Sequence, residues 1–194
     1  MWQIKIVPFG GSWIDGDGYV AKVSFGSTTK YFADFESAWA EAMEAYKTND
    51  TVFTMNKDWY AGDSDADGNI DPGKTAGIFK VTKNGSQIGT DNGRLYLDVD
   101  DYTLTIDLNG NTLSRNLSAA VEHGQVFRIA SGAKLIIRDT SALANGKITG
   151  GRNRSRDAYF THTALEGYLV KLHIFKTTGS IAGRKIRLFH VGSR

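Results

Sequence analysis

The 194-residue chain contains no cysteine and only two prolines, and it has no apolar run of the roughly 18 residues that a membrane-spanning helix needs. Without cysteine, disulfides, thiol catalysis and cysteine-ligated zinc are excluded. The first residues, 1–9, lack a basic segment followed by a long apolar one, so no signal peptide is evident. A serine nucleophile elbow, a glycine-rich phosphate loop and an HExxH motif are also missing. These absences favour a non-enzymatic role without excluding catalysis.

The net charge of +2 conceals an uneven distribution. Residues 1–151 carry more acidic than basic side chains, whereas residues 152–194 are strongly basic. The basic residues of that segment are scattered among β-type residues and do not form a dense block. We therefore expect no nucleic-acid partner. The lack of a long apolar run predicts that the chain has no membrane span.

One stretch has the spacing of an amphipathic helix. Asp34 is placed to cap its N-terminus, and Asn49 is placed to end it in a left-handed conformation. Its apolar residues recur every three or four positions: Phe35, Ala38, Trp39, Ala42, Met43 and Tyr46.

The remaining pattern is that of short β-strands. Residues 19–32 predict two strands around a Gly-Ser turn, Thr51–Met55 predicts a third, and residues 78–85 predict a hairpin with a type I′ turn at Asn84-Gly85. From Leu95 onward, short alternating strands are separated by the corners 109–111, 131–133 and 145–147. Such short corners leave no room for crossover helices, which favours a solenoid. A meander sandwich remains the alternative.

Three stretches of the chain carry a resemblance to a known family. Residues 31–39 with 50–54 resemble a strand–helix–strand module of large bacterial surface proteins, and residues 104–113 and 127–139 look like successive β-helix rungs. The chain thus resembles the pectin-lyase-like right-handed β-helix group. The resemblance implies a mainly β fold, the start of a right-handed parallel β-helix with an N-terminal α-helical cap.

The same resemblance implies a domain organisation. Residues 1–94 would form the cap region with one helix, an Asp-rich loop and a hairpin, and residues 95–151 the first β-helix coils. Residues 152–194 depart from the pattern, because they contain no Asn-Gly corner. They are either a truncated or non-native end, or a C-terminal hairpin of residues 168–175 against 185–191.

Repeat-rich surface and adhesin-like proteins would be the nearest relatives within this group. The implied role is a non-catalytic structural and adhesive segment of a secreted bacterial cell-surface protein, located extracellularly or at the cell surface. Cell-surface glycans or a host surface would be its partners. The alternative is a fragment of a polysaccharide-active enzyme, a lyase or glycosidase, because the same stem carries both.

The Asp-rich loop is the sharpest local motif. Its oxygen-bearing residues have the spacing of the first nine positions of an EF-hand-type calcium loop, and Gly68 occupies the sixth position. Lys74 stands where the bidentate carboxylate belongs. The alternative is a solvated acidic loop. The candidate calcium ligands are Asp63, Asp65, Asp67, Asn69 and Asp71.

Two further groups are weaker candidates for function. Trp13, Trp59 and Tyr60 lie outside the periodic elements and are candidate carbohydrate-binding residues, although the usual burial of tryptophan favours packing of Trp13 and Trp59 against the cap. A second acidic group could line an outer sheet face, but its residue types favour solvated turns. That group consists of Asp98, Asp100, Asp101 and Asp107.

Overall fold

The computed structural model describes residues 18–64 and 67–154. Within these ranges the protein is mainly β-sheet with one helix, and no helix there is long and apolar enough to cross a membrane. The hairpin expected beyond residue 167 lies outside the described residues. The elements are β1 Ala21–Phe25, β2 Thr28–Phe32, α1 Phe35–Tyr46, β3 Thr51–Met55, β4 Trp59–Tyr60, β5 Thr82–Lys83, β6 Ser86–Gln87, β7 Thr90–Asp91, β8 Arg94–Leu97, β9 Thr103–Asp107, β10 Thr112–Ser114, β11 Phe127–Ile129, β12 Lys134–Arg138 and β13 Lys147–Thr149.

The helix α1 spans the residues that the apolar spacing predicts. The Asp34 carboxylate accepts a hydrogen bond from the Ser37 amide at 2.7 Å, and an N-cap of this kind contributes about 1 kcal/mol. The prediction that Asn49 ends the helix in a left-handed conformation is wrong, because its φ is not positive. The Thr48 and Asn49 amides instead donate to the Ala45 carbonyl at the end of the helix.

Three sheets hold most of the strands. Sheet 1 has the order β12-β9-β3-β1-β2, sheet 2 the order β13-β10-β4, and sheet 3 the order β11-β8-β7. The pairs of β1 with β2 and with β3 are antiparallel, as is that of β7 with β8. All other pairs within these three sheets are parallel. Strands on both sides of the predicted boundary at residue 94 therefore share sheets.

The later strands return to the three sheets in a fixed order. β8, β9 and β10 lie in sheets 3, 1 and 2, and β11, β12 and β13 lie in the same three sheets in the same order. Each later strand is parallel to its counterpart. A meander sandwich would make these neighbours antiparallel, so the pairing excludes that alternative for these strands.

Side chains alternate between the interior and the outer surface. Leu95, Leu97 and Leu104 are completely buried, as the period-two pattern predicts. On the opposite face of the later strands, Arg128 and Lys134 are exposed. The apolar faces of β8 and β9 therefore point into the protein interior.

The ring of Phe35 is the centre of an aromatic cluster beneath α1. It stacks on Trp39 and on Trp59 with centroid distances of 5.9 and 5.3 Å, and it meets Phe53 edge-on at 5.2 Å. Aromatic pairs of this geometry contribute about 0.5–1.5 kcal/mol each beyond their burial. Because Phe53 belongs to β3 and Trp59 to β4, the helix packs against sheets 1 and 2 together.

The helix also reaches the chain that leads into sheet 3. The Trp39 Nε1 donates to the Gly89 carbonyl at 2.8 Å, one residue before β7. Only glycine fits there, since φ is +58° and a Cβ would lie 2.2 Å from the Met43 Cγ. The Tyr46 hydroxyl donates to the Val99 carbonyl at 2.6 Å. These bonds connect α1 to the segments just before and after β7 and β8.

The predicted turns are confirmed in part. Asn84 and Gly85 have φ values of 51° and 79°, as a type I′ turn requires, but the hairpin strands are β5 and β6 and do not include residues 78–81. At the corner before β10, Asn109 is left-handed as expected. Before β13 the left-handed residue is Ala144, and neither neighbouring residue of the predicted corner takes that conformation.

Asp139 connects the turn before β10 with the segment before β13. Its carboxylate accepts from the Gly110 amide at 2.8 Å, the Gly146 amide at 2.6 Å and the Ser141 amide at 3.0 Å. Burial alone would raise the pKa of this carboxyl, but the hydrogen bonds from Ser141, Gly146 and Gly110 outweigh it and hold the pKa below its usual value. The charged form is therefore the one that the fold stabilises.

We expect Asp139→Ala to lower the free energy of unfolding by about 1–3 kcal/mol, because three partly buried amides lose an ionic acceptor. Since the folded-state pKa is depressed, the contribution of Asp139 is complete above the unfolded-state pKa of about 3.9 and is lost as the pH falls through the folded-state value. The free energies of unfolding of wild type and variant should therefore approach each other as the pH is lowered. Urea denaturation of both proteins between neutral pH and about pH 3 measures this difference. The exposed Asp98→Ala control should change stability by less than about 0.5 kcal/mol; equal losses in the two variants would contradict the assignment.

Candidate functional site

The Asp-rich loop leaves sheet 2 directly after β4 and is held at its base by backbone hydrogen bonds. The Ala61 amide donates to the Ser114 carbonyl of β10 at 2.9 Å. The Gly77 amide donates to the Ala61 carbonyl at 3.1 Å, and the Asp71 amide donates to the Gly62 carbonyl at 2.8 Å. The loop is therefore closed at its neck and anchored to the neighbouring parallel strand.

Asp63, the first predicted calcium ligand, is the buried anchor of the loop. Its side chain is 4% exposed. The two carboxylate oxygens accept from the amides of Asp67, at 3.2 Å, and Gly68, at 3.0 Å. Gly68 has a φ of +90°, which an L-residue with a side chain rarely adopts. The Asp67 and Gly68 amides thus both bond to the Asp63 carboxylate.

Three other predicted ligands take part in hydrogen bonds within the same loop. The Asp71 carboxylate accepts from the Ser64 amide at 3.0 Å, and the Asp67 carboxylate accepts from the backbone and side-chain nitrogens of Asn69 at 2.7 and 3.1 Å. Asp65 lies outside the described residues. Among the residues that are described, no group of three or more acidic or histidine side chains is arranged to hold a metal ion. Calcium binding therefore stays a prediction.

Lys74 occupies the position where a calcium loop would supply its bidentate carboxylate. Its ammonium contacts both oxygens of Glu36 at 2.8 Å. Glu36 lies in the first turn of α1, where the helix dipole favours an acidic side chain. This ion pair joins the loop to the helix. Because the Glu36 carboxylate is engaged by Lys74, we do not assign Glu36 as a calcium ligand that would replace the missing carboxylate of the loop.

The predicted carbohydrate-binding residues that the structure describes differ in their exposure. Trp59 is 5% exposed and its ring stacks on Phe35, so it offers no free face to a sugar. Tyr60, the next residue in β4, is half-buried at the surface beside the Asp-rich loop. Trp13 lies outside the described residues. Tyr60 is therefore the described aromatic residue of this group that still has accessible surface.

The second acidic group is not a single outer surface. Asp107 is only 2% exposed, which corrects the expectation of a solvated position. Its carboxylate accepts from the Arg138 Nε at 2.9 Å and from the Thr140 amide at 3.1 Å. Asp98 and Asp101 are exposed in the connection between β8 and β9. The buried member supports the junction of β9 with β12, and the exposed members belong to a loop.

A residue that the sequence pattern did not single out, Arg115, is 1% exposed. Its guanidinium donates to four backbone carbonyls, those of Gly77 and Asn92 at 3.0 Å and those of His123 and Gln125. Burial, and to a smaller extent the charge of Arg94, lowers the pKa of Arg115 to about 10, so it remains protonated at neutral pH. Nothing local distinguishes Arg115 from a surface arginine, because all four acceptors come from other segments.

The loop geometry yields a calcium prediction. If calcium binds, a free calcium concentration about tenfold above the dissociation constant should raise the free energy of unfolding by roughly 1.4 kcal/mol. This stabilisation would be measured as a rise in melting temperature. Asp71→Asn keeps an acceptor for Ser64 but removes the charge, and it should abolish that rise. The matched control Asp98→Asn should retain it. Absence of heat in titration calorimetry at millimolar calcium would remove the site.

The chain matches no protein-family model, no curated protein and no solved structure in comparisons with all three.

Proposed function

We propose that the chain is the capped start of a right-handed parallel β-helix and serves as a non-catalytic structural and adhesive segment of a secreted bacterial cell-surface protein. The observation that carries the proposal is the ordered return of β11, β12 and β13 to the sheets of β8, β9 and β10, with parallel pairing in all three sheets. A chain that passes through three sheets and then returns to the first winds as a coil. The right-handed sense is the one that parallel crossovers nearly always take.

The position of α1 supports the role of a cap. A stack of coils exposes an apolar cross-section at its end, and that section must be covered for solubility. Phe35 and Trp39 of α1 contact β3 and β4, the first strands of sheets 1 and 2 that pair in parallel, and Trp39 bonds to Gly89 before β7. A single helix that touches all three sides of the first coil fits that need.

The distribution of polar groups supports a structural role. The buried carboxylate of Asp107 and the partly buried carboxylate of Asp139 accept hydrogen bonds from groups that hold strands and corners together. The buried guanidinium of Arg115 likewise donates to backbone carbonyls. Stems of this kind present their loops for contact, and the Asp-rich loop with Tyr60 beside it is the surface that we assign to glycan contact.

The coil arrangement is tested with pairs of spin labels, since the chain has no native cysteine. Paired strands lie about 4.8 Å apart, so nitroxides on opposed residues of all three sheets should show strong dipolar broadening. A pair taken from two sheets, Tyr96 with Ile136, is the control and should show much less. Broadening in fewer than three sheets would contradict a coil. The opposed pairs are Tyr96 with Arg128, Thr105 with Ile136, and Thr112 with Lys147.

The adhesive role is tested on immobilised neutral and acidic polysaccharides. We expect retention of the folded protein on at least one of them, without release of unsaturated or reducing-end products. Tyr60→Ala should weaken retention several-fold, while Tyr31→Ala, whose exposed ring lies on β2, should not. Steady product release would contradict the proposal and would instead indicate a polysaccharide-active enzyme; failure to bind any glycan would remove the adhesive part of it.

A further inference from the structure

The chain contains four asparagines that are followed by glycine: Asn84, Asn92, Asn109 and Asn145. In such a pair the glycine amide nitrogen can attack the asparagine side-chain carbonyl carbon. A new C–N bond forms, ammonia leaves, and the cyclic succinimide then takes up water and opens to aspartate or isoaspartate. The attack requires the glycine nitrogen to reach that carbon, so a turn that is held rigidly is protected.

Two of the four pairs are clamped by a single carboxylate. Asp139 accepts from the amide of Gly110 at 2.8 Å and from the amide of Gly146 at 2.6 Å. These are the nitrogens that would have to attack Asn109 and Asn145. The Asn109 side chain is held as well, because its Nδ2 donates to the Met55 carbonyl at 3.1 Å.

The third pair is held by packing and by the buried guanidinium. The Asn92 carbonyl accepts from Arg115 at 3.0 Å, and the Asn92 side-chain amide donates to Asp91 at 3.1 Å. Gly93 is buried, and a Cβ built on it would lie 2.7 Å from the Ile78 Cδ1. The turn also leads directly into β8, which is paired with β11. Rotation of this peptide group would disrupt several contacts together.

The fourth pair, Asn84-Gly85, has none of these restraints. Its turn joins β5 and β6, which form a separate two-stranded sheet of two residues each. Isolated hairpins of this kind are marginally stable. Both turn residues are exposed, and nothing lies within 4 Å of a Cβ built on Gly85. Opening this turn breaks the pairing of β5 with β6 and leaves the pairing within the three larger sheets in place.

We propose that Asn84-Gly85 is a site of spontaneous deamidation in this protein, and that the fold protects the other three pairs. The main product, isoaspartate, carries one additional methylene in the backbone, which a two-residue type I′ turn does not accommodate. Conversion also places a new negative charge beside Lys83, whose ammonium lies 3.4 Å from the Glu41 carboxylate of α1. The modification therefore loosens the hairpin from the helix.

The test is an ageing experiment on the folded full chain at mildly alkaline pH. Samples taken over time are digested at mildly acidic pH, and the amide-to-acid mass increase is assigned by fragmentation, because Asn84 and Asn92 share the tryptic peptide 84–94. We expect Asn84 to convert about ten- to a hundredfold faster than the other three, since each of those turns must first break a charge-assisted hydrogen bond. In urea all four should convert at similar rates, because each precedes glycine.

A matched variant tests the protection directly. Asp139→Asn, which removes the charge that clamps two corners, should accelerate conversion at Asn109 and Asn145 and leave the rate at Asn84 unchanged. Circular dichroism establishes that the variant is folded, and the comparison of folded with urea-treated wild type stands independently of it. Equal rates at all four sites in the folded wild type, or a faster rate at any of the protected three, would overturn the proposal.

Discussion

The packing of α1 against β3, β4 and the segment that leads into β7 is the interaction on which the rest of the structure depends. Phe35 and Trp39 both contact Phe53 of β3, Phe35 stacks on Trp59 of β4, and Trp39 donates a hydrogen bond to the Gly89 carbonyl. These contacts bury the rings of Phe53 and Trp59, which water would otherwise reach. Because burial of large aromatic side chains contributes more than any single hydrogen bond here, the helix and the sheets stabilise each other.

Bends between the strands leave backbone groups that need partners, and the protein satisfies many of them with two ions of opposite sign, the partly buried Asp139 and the buried Arg115. Asp139 accepts from three amides at successive corners, and Arg115 donates to four carbonyls in the connecting segments. Each ion replaces several separate partners by one side chain. The corners remain ordered because these ionic bonds are shared among segments that are distant in the chain.

The contacts of the acidic side chains bear on function. Asp107 and Asp139 accept hydrogen bonds that hold strands and turns together, so these carboxylates are already engaged within the fold. The Asp-rich loop and Tyr60 beside it retain accessible surface. This distribution suits the support and contact roles that we propose, and the Lys74–Glu36 ion pair joins α1 to that loop.

Local periodicity was sufficient to predict α1, the alternation in β8 and β9 and the type I′ turn at Asn84-Gly85, because each depends on residues within a few positions. It was not sufficient to predict that Asp107 is paired with Arg138, or that Ala144 takes the left-handed position. The first outcome depends on a side chain 31 residues away, and the second places an alanine in a conformation that residue preferences assign to asparagine or glycine. The sequence by itself thus determined which segments form elements and how they alternate. Only the tertiary structure decided which strands are neighbours and which polar side chains lie inside, because pairing and burial are properties of the whole chain.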